Sequence, residues 1–152
     1  LFSGSPSLAV RYSRALRNWI GYREDTTNIP MKARAKDLAT ADILLRGISL
    51  ANAGILLAPI LATYDKDKKR VRLFNFGPEG SMTEHDDFTA SGSGQRIRIT
   101  IKEHWKPTLT RQQGIELARR FILNDVASID SFSGGLVSID VIDHDGVTTV
   151  QE

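Results

Sequence analysis

Apolar positions near the start of the chain recur with the three-to-four spacing of a helix. Between Leu8 and Tyr22 they fall at Tyr12, Leu16, Trp19 and Ile20, with Arg11, Arg14 and Arg17 on the other side. A polar connection, REDTTNIP, ends at Pro30, and a second helix is expected from about Met31 to Asn52. Its apolar stripe reads as Leu38, Ala41, Leu45 and Ile48. Two closely joined helices of this kind are expected to pack antiparallel.

The period then changes. GILLAPILATY is a short continuous apolar run suited to a buried strand, with Pro59 implying a bulge or an edge. DKDKK is a charged turn, and RVRLFNF beyond it alternates with period two, so the pair predicts a β-hairpin. GPEGS is a further turn, and MTEHDDFTAS contributes one or two short strands. In QRIRITIKEHW, Ile97, Ile99, Thr100 and Ile101 favour a strand on local propensity. TRQQGIELARRFILNDV is a helix opened by the capping-box pair Thr110 and Gln113, with a stripe of Ile115, Ala118, Ile122 and Val126. A closing hairpin turns at Asp-Gly, with Val137, Ile139 and Val141 on one side. Helices segregated from strands along the sequence predict an α+β fold.

The 152 residues, 41% hydrophobic and 25% charged, suit one soluble domain spanning 1–152. No apolar run approaches the ~20 residues of a membrane helix, and LFSGSPSLAV does not read as a signal peptide. Leu1 opens directly in an apolar stretch, as in a fragment or a processed chain. There are no cysteines, which excludes disulfides, thiolate metal sites and cysteine nucleophiles and fits a cytoplasmic protein. The net charge of +2 is mild. The arginines at 11, 14 and 17, with Arg96 and Arg98, offer a phosphate-binding stripe, but no aromatic platform accompanies them and a solvated face is the commoner use. No nucleic-acid partner is expected. The triplet Asp143-His144-Asp145 suggests a metal ligand set but sits at a hairpin turn. Neither metal nor cofactor is expected.

Two small-residue runs remain. Gly92-Ser93-Gly94 lies within DDFTASGSGQ and lacks the Gly-Lys-Ser/Thr of a phosphate loop; alone it reads as a turn. Asp130-Ser131-Phe132-Ser133-Gly134-Gly135 alone reads as a local hydrogen-bonded turn. Together, with LTRQQGIELARRF between them, they resemble the 20S proteasome β subunits. Those carry Gly-Ser-Gly after a short strand, a helix of similar character, and then Asp-x-x-Ser-Gly-Gly. Ser93 and Asp130 stand 37 positions apart, as in the family's pattern. The hairpin and turn upstream resemble the family too, as does LFSGSPS at the entrance to the first helix, so the likeness covers essentially the whole chain.

The resemblance implies the N-terminal nucleophile hydrolase fold, a four-layer αββα sandwich of two antiparallel sheets. It also implies a helix after Gly-Ser-Gly, against the propensity of the isoleucines. The family's nucleophile is a threonine at the mature N-terminus, whose own α-amine serves as base. Asp130, Ser93 and Ser133 match the hydrogen-bonding support of that threonine. Gly4 matches the oxyanion-hole N–H, and Phe2 and Pro6 the walls of the specificity pocket. The family's threonine, aspartate and lysine lie on strands that would precede Leu1. The chain as it stands is therefore expected to be N-terminally incomplete and inactive alone.

The implied partners are other β subunits and α-type subunits in stacked heptameric rings, with unfolded polypeptide as substrate. A non-catalytic structural ring subunit is the alternative. Trp19 and Trp105 are candidate core or interface anchors.

Overall fold

In the computed structural model the described residues are 2–4, 6–46, 57–77, 81–92, 96–130 and 137–150. Four strands form one antiparallel sheet in the order β1 (Phe2–Gly4), β2 (Leu57–Asp65), β3 (Arg70–Phe76), β4 (Met82–His85). A second sheet is the hairpin β5 (Ile139–Asp143) and β6 (Gly146–Val150). Helices α1 (Pro6–Thr27) and α2 (Ala33–Arg46) pack on each other, α1 against β1 and α2 against β2. Strand β2 in turn touches β5, and β5 touches helix α4 (Arg111–Arg120). This succession of helix, sheet, sheet and helix is the α+β sandwich expected from the sequence.

Helix α1 carries its apolar face as the periodicity indicates. Tyr12 is buried, Leu16 packs beside it, and Arg11, Arg14 and Arg17 are exposed. Trp19 is 41% exposed, so within this chain it is no core anchor. The helix stops at Asn28, whose φ of 51° is the left-handed conformation that closes helices. The main core joins Tyr12 to Leu57, Phe74 and Phe76, with Ala9, Ala41, Ile43 and Leu61 around it.

Helix α2 corrects the expected stripe. Leu38 is 53% exposed, while Asp37, Ala39 and Thr40 are buried. The reason is tertiary. Tyr12 donates its hydroxyl to the Thr40 carbonyl at 2.6 Å, and Asp37 meets Arg72 of β3 at 2.7 Å, so the helix buries the face that carries these polar partners. The expected positions at Ile48 and up to Asn52 lie outside the described residues.

The β2–β3 hairpin is as expected. Asp65 Oδ1 accepts the N–H groups of Asp67 and Lys68 at 3.0 and 3.2 Å and closes the charged turn, with Lys69 at φ 52°. Pro59 sits where proline does no damage: it pairs with Phe2 at the end of the β1 ladder, and the β3 ladder begins only at Ile60. Residues 78–80 of the next turn lie outside the described residues, but Gly77 N–H donates to the Ser81 carbonyl across it at 2.9 Å. Of the segment 82–91, only β4 is strand.

The segment after Gly-Ser-Gly is helical, as the family resemblance implies: α3 spans Arg98–His104. Its isoleucines are used for packing, since buried Ile97 and half-buried Ile101 join Leu117, Phe121 and Val126 in a second core. Thr110 and Gln113 make the full reciprocal capping box that starts α4. Beyond Arg120 the helix widens into a π-helical turn, Phe121–Val126, before one last α turn, α5, Ala127–Ile129. That change of period corrects the stripe: Phe121 and Val126, five apart, are buried, and Ile122 is 39% exposed. An i→i+5 helix brings residues five apart onto one face, where a 3.6-residue period separates them.

Candidate functional site

The small-residue run is fastened to the sheet. Beyond Ile60, β2 leaves the β3 ladder and pairs with β1, in the register Phe2↔Pro59, Ser3↔Ala58 and Gly4↔Leu57. Here Ser91 donates its hydroxyl to the Ala58 carbonyl at 3.0 Å, bridging 33 positions of sequence. Two residues earlier, the Thr89 hydroxyl bonds the Asn75 side-chain carbonyl on β3. Phe88 rests near Trp105, ring centroids 6.3 Å apart. After Ser91 the backbone turns at Gly92, with φ 89°, in the region that favours glycine. The run thus crosses from β3 to the β1–β2 ladder and turns there.

Asp130 ends the helical segment that carries the second core. The second core couples Ile97, four positions after Ser93, to Val126, four positions before Asp130. Asp130 N–H closes the last helical turn on the Val126 carbonyl at 2.9 Å, and Asp130 itself leaves the helix in extended conformation. It is 8% exposed, so its carboxylate belongs to the interior. The flanks of the two motifs are therefore held by one apolar cluster.

Of the residues singled out in the sequence, Phe2 and Gly4 are the first and last of β1, and Pro6 is the first of α1. Proline is well placed there, where its missing N–H costs no helical bond. Ser93 and Ser133 lie outside the described residues. Ser91, Thr89 and Asn75 were missed. The signal for Ser91 is its place in the quoted run, where a hydroxyl flanks the glycine that must turn.

An ionic cluster was missed as well. Period two puts Arg72 on the same face of β3 as Phe74 and Phe76, hence beneath α2. Its guanidinium lies 4.6 Å from the Phe74 ring centroid, reaches Asp37 Oδ2 at 2.7 Å, and clamps Glu84 of β4 through two bonds of 2.9 Å. Asp37 is 1% exposed and its Oδ1 has no hydrogen-bond partner among the described residues. Burial pushes its carboxyl up to about 6, against the pull of Arg72. Glu84 moves the other way, held below the ordinary carboxylate range mainly by its hydrogen bonds to Arg72.

The remaining features point away from this region. Asp143, His144 and Asp145 have ligand atoms within 4.8 Å of one another on the exposed β5–β6 turn. Asp143 Oδ1 already accepts the Asp145 N–H at 2.9 Å, and His144 pairs with Asp145 at 3.3 Å, so the arrangement is that of a hairpin turn. A cavity of about 520 Å³ lies between that turn, the α1–α2 connection and residues 62–67, at the opposite end of β2 from Ala58. Among the described residues no helix is long and apolar enough to cross a membrane.

Comparison with known proteins identifies the family. The profile of the family described as "Proteasome subunit" matches residues 1–142. "Proteasome subunit beta" of Jonesia denitrificans is 29% identical over 158 aligned positions, covering 99% of this chain and 52% of that protein. "Proteasome subunit beta 1" of Streptomyces avermitilis is 30% identical, over 88% of this chain and 48% of that protein. "Proteasome subunit beta" of Streptomyces griseus is 26% identical, with coverages of 88% and 47%. The chain spans about half the length of the curated relatives it matches. With its fold and motifs, the match assigns the chain to the proteasome subunit family, as a β-type member.

Proposed function

We propose that this chain supplies the supporting half of a threonine endopeptidase site that cleaves unfolded polypeptides within a proteasome core particle. The observation that carries the reading is the Ser91–Ala58 bond. It brings the small-residue turn against the strand pair holding Phe2 and Gly4, while the Ile97–Phe121–Val126 cluster brings in the helix end at Asp130. A reaction centre at this junction has its parts on four separate elements.

In this reading the nucleophile is a threonine at the mature N-terminus. Its α-amine, with an ordinary pKa near 8, takes the hydroxyl proton as the oxygen attacks the peptide carbonyl, and later delivers a proton to the leaving amine. Asp130, Ser93 and Ser133 hold that amine and hydroxyl in line. The Gly4 N–H, at the end of a paired strand and without a side chain to obstruct the approach, donates to the developing oxyanion. Phe2 and Pro6 wall the pocket for the side chain before the scissile bond, which makes that pocket apolar. The partners are other β subunits and α-type subunits in stacked seven-membered rings.

The test uses assembled particles containing this chain. They are treated with a peptide bearing a threonine-directed electrophile, and hydrolysis of fluorogenic peptides with apolar residues before the cleaved bond is followed. A covalent adduct on a terminal threonine, with loss of hydrolysis, is expected. Assembled particles with an intact terminal threonine that form no adduct and cleave no peptide would leave only the structural-subunit role.

A further inference from the structure

We propose that Ser91 is a positioning residue of this site: its hydroxyl locks the small-residue turn to β2, the strand paired with the one that presents the oxyanion donor. The proposal rests on the threonine-peptidase reading above. Ser91 donates to the carbonyl of Ala58, and Ala58 is the register partner of Ser3, which stands between Phe2 and Gly4. One bond therefore ties the turn at Ser91 and Gly92 to the point of the sheet opposite the centre of β1.

Strand β1 needs such help. It is three residues long, and its ladder runs only from Phe2↔Pro59 to Gly4↔Leu57. The β2–β3 ladder that stiffens the rest of β2 has already ended at Ile60. At Ala58 the β2–β3 ladder has ended, and the Ser91 hydroxyl bonds the β2 carbonyl there. The companion bond from Thr89 to Asn75 holds the same run to the last part of β3, so the two bonds pin the turn on either side of Ala90. With the turn pinned, Gly92 adopts its left-handed conformation at a fixed place. A serine hydroxyl does not titrate in the working range, so its contribution is to geometry and not to proton transfer.

The test compares Ser91→Ala and Ser91→Thr with the unaltered chain in assembled particles, by peptide hydrolysis and by hydrogen exchange of the amides at residues 2–4. Ser91→Ala is expected to lower kcat/KM about five- to tenfold, the equivalent of one neutral hydrogen bond, and to leave its pH profile in place. The same change is expected to speed exchange at Ser3 and Gly4, and Ser91→Thr to restore both. Unchanged exchange at residues 2–4 in Ser91→Ala would overturn the proposal. So would a fall in activity that merely tracks loss of assembly. Particles of the unaltered chain that show neither hydrolysis nor a threonine adduct would instead overturn the peptidase reading. Exchange at residues 2–4 would then still decide whether Ser91 holds β1.

Discussion

The two ends of the Asp37–Arg72 pair should respond to mutation in opposite directions. Asp37 is 1% exposed, and its pKa stands at about 6 against an ordinary 3.8. Two pKa units at about 1.4 kcal/mol each make the ionised carboxylate cost the folded state about 3 kcal/mol relative to the neutral acid. The sign follows from proton uptake. Between about pH 4 and 6 the folded protein binds the Asp37 proton more tightly than the unfolded chain does. The extra stability is thus fully present below the unfolded pKa and is lost as pH rises through 6. Asp37→Asn mimics the neutral acid at every pH. It should raise stability at pH 7.5 by up to about 3 kcal/mol and remove this slope. Arg72→Met does the reverse. It leaves the buried carboxylate without its counter-charge and releases Glu84, and should cost about 3–5 kcal/mol at pH 7.5. Urea unfolding of the three proteins at half-unit intervals from pH 4 to 7.5 measures both effects. Because other carboxylates titrate in this range, the informative quantity is the difference between Asp37→Asn and the unaltered protein at each pH. Glu84, shifted downward from 4.5, contributes stability that is full above that value and fades as pH falls through its lowered pKa, and so overlaps only the lower edge of the Asp37 window. If Asp37→Asn is destabilising by more than about 1 kcal/mol at pH 7.5, the pair is a net stabiliser and the reasoning from burial is wrong.

Other outcomes follow from the same packing. Phe74 is 1% exposed at the centre of the main core, and Phe74→Ala should cost about 3–5 kcal/mol in chemical denaturation. Tyr12→Phe keeps the ring but leaves the Thr40 carbonyl without the phenol donor, and should cost about 1–2 kcal/mol by the same measurement. Thr110→Ala removes the acceptor for the Gln113 N–H and should lower stability by about 1 kcal/mol, with faster amide exchange confined to the first turn of α4.

How far the fold was legible depends on where each element takes its instructions. The capping box at Thr110, the charged turn at Asp65 and the closing hairpin are local devices, and local sequence announces them. Helix α2 is the contrary case. Leu38 and Ala41 define a plausible stripe, yet the buried face is set by Tyr12 and Arg72, which lie 28 and 35 positions from their partners. No periodicity within the helix reports a partner on another element. Segment 97–104 fails in the same way, because β-branched residues that favour a strand in isolation are stabilised as a helix by the facing surface of Leu117, Phe121 and Val126. The π-helical turn adds a shift of period that no average spacing can anticipate.

The candidate site shows the same division in sharper form. Two short runs of small residues were visible because glycine and serine at such positions have few uses. Their significance came from a separation of 37 positions, which local chemistry does not explain. The fold supplies the explanation. Ser93 is followed by Ile97 and Asp130 is preceded by Val126, so the helices between the two motifs pack back on the segment that follows the first. With α3 and α4 as regular spacers, the distance along the chain is fixed by helix lengths, and an inserted residue would rotate one partner out of the cluster. A spacing maintained by a buried contact is therefore a structural requirement before it is a functional one. What makes this junction a candidate site is the additional arrival of β1, through Ala58 and Ser91, at the point where the turn must be held.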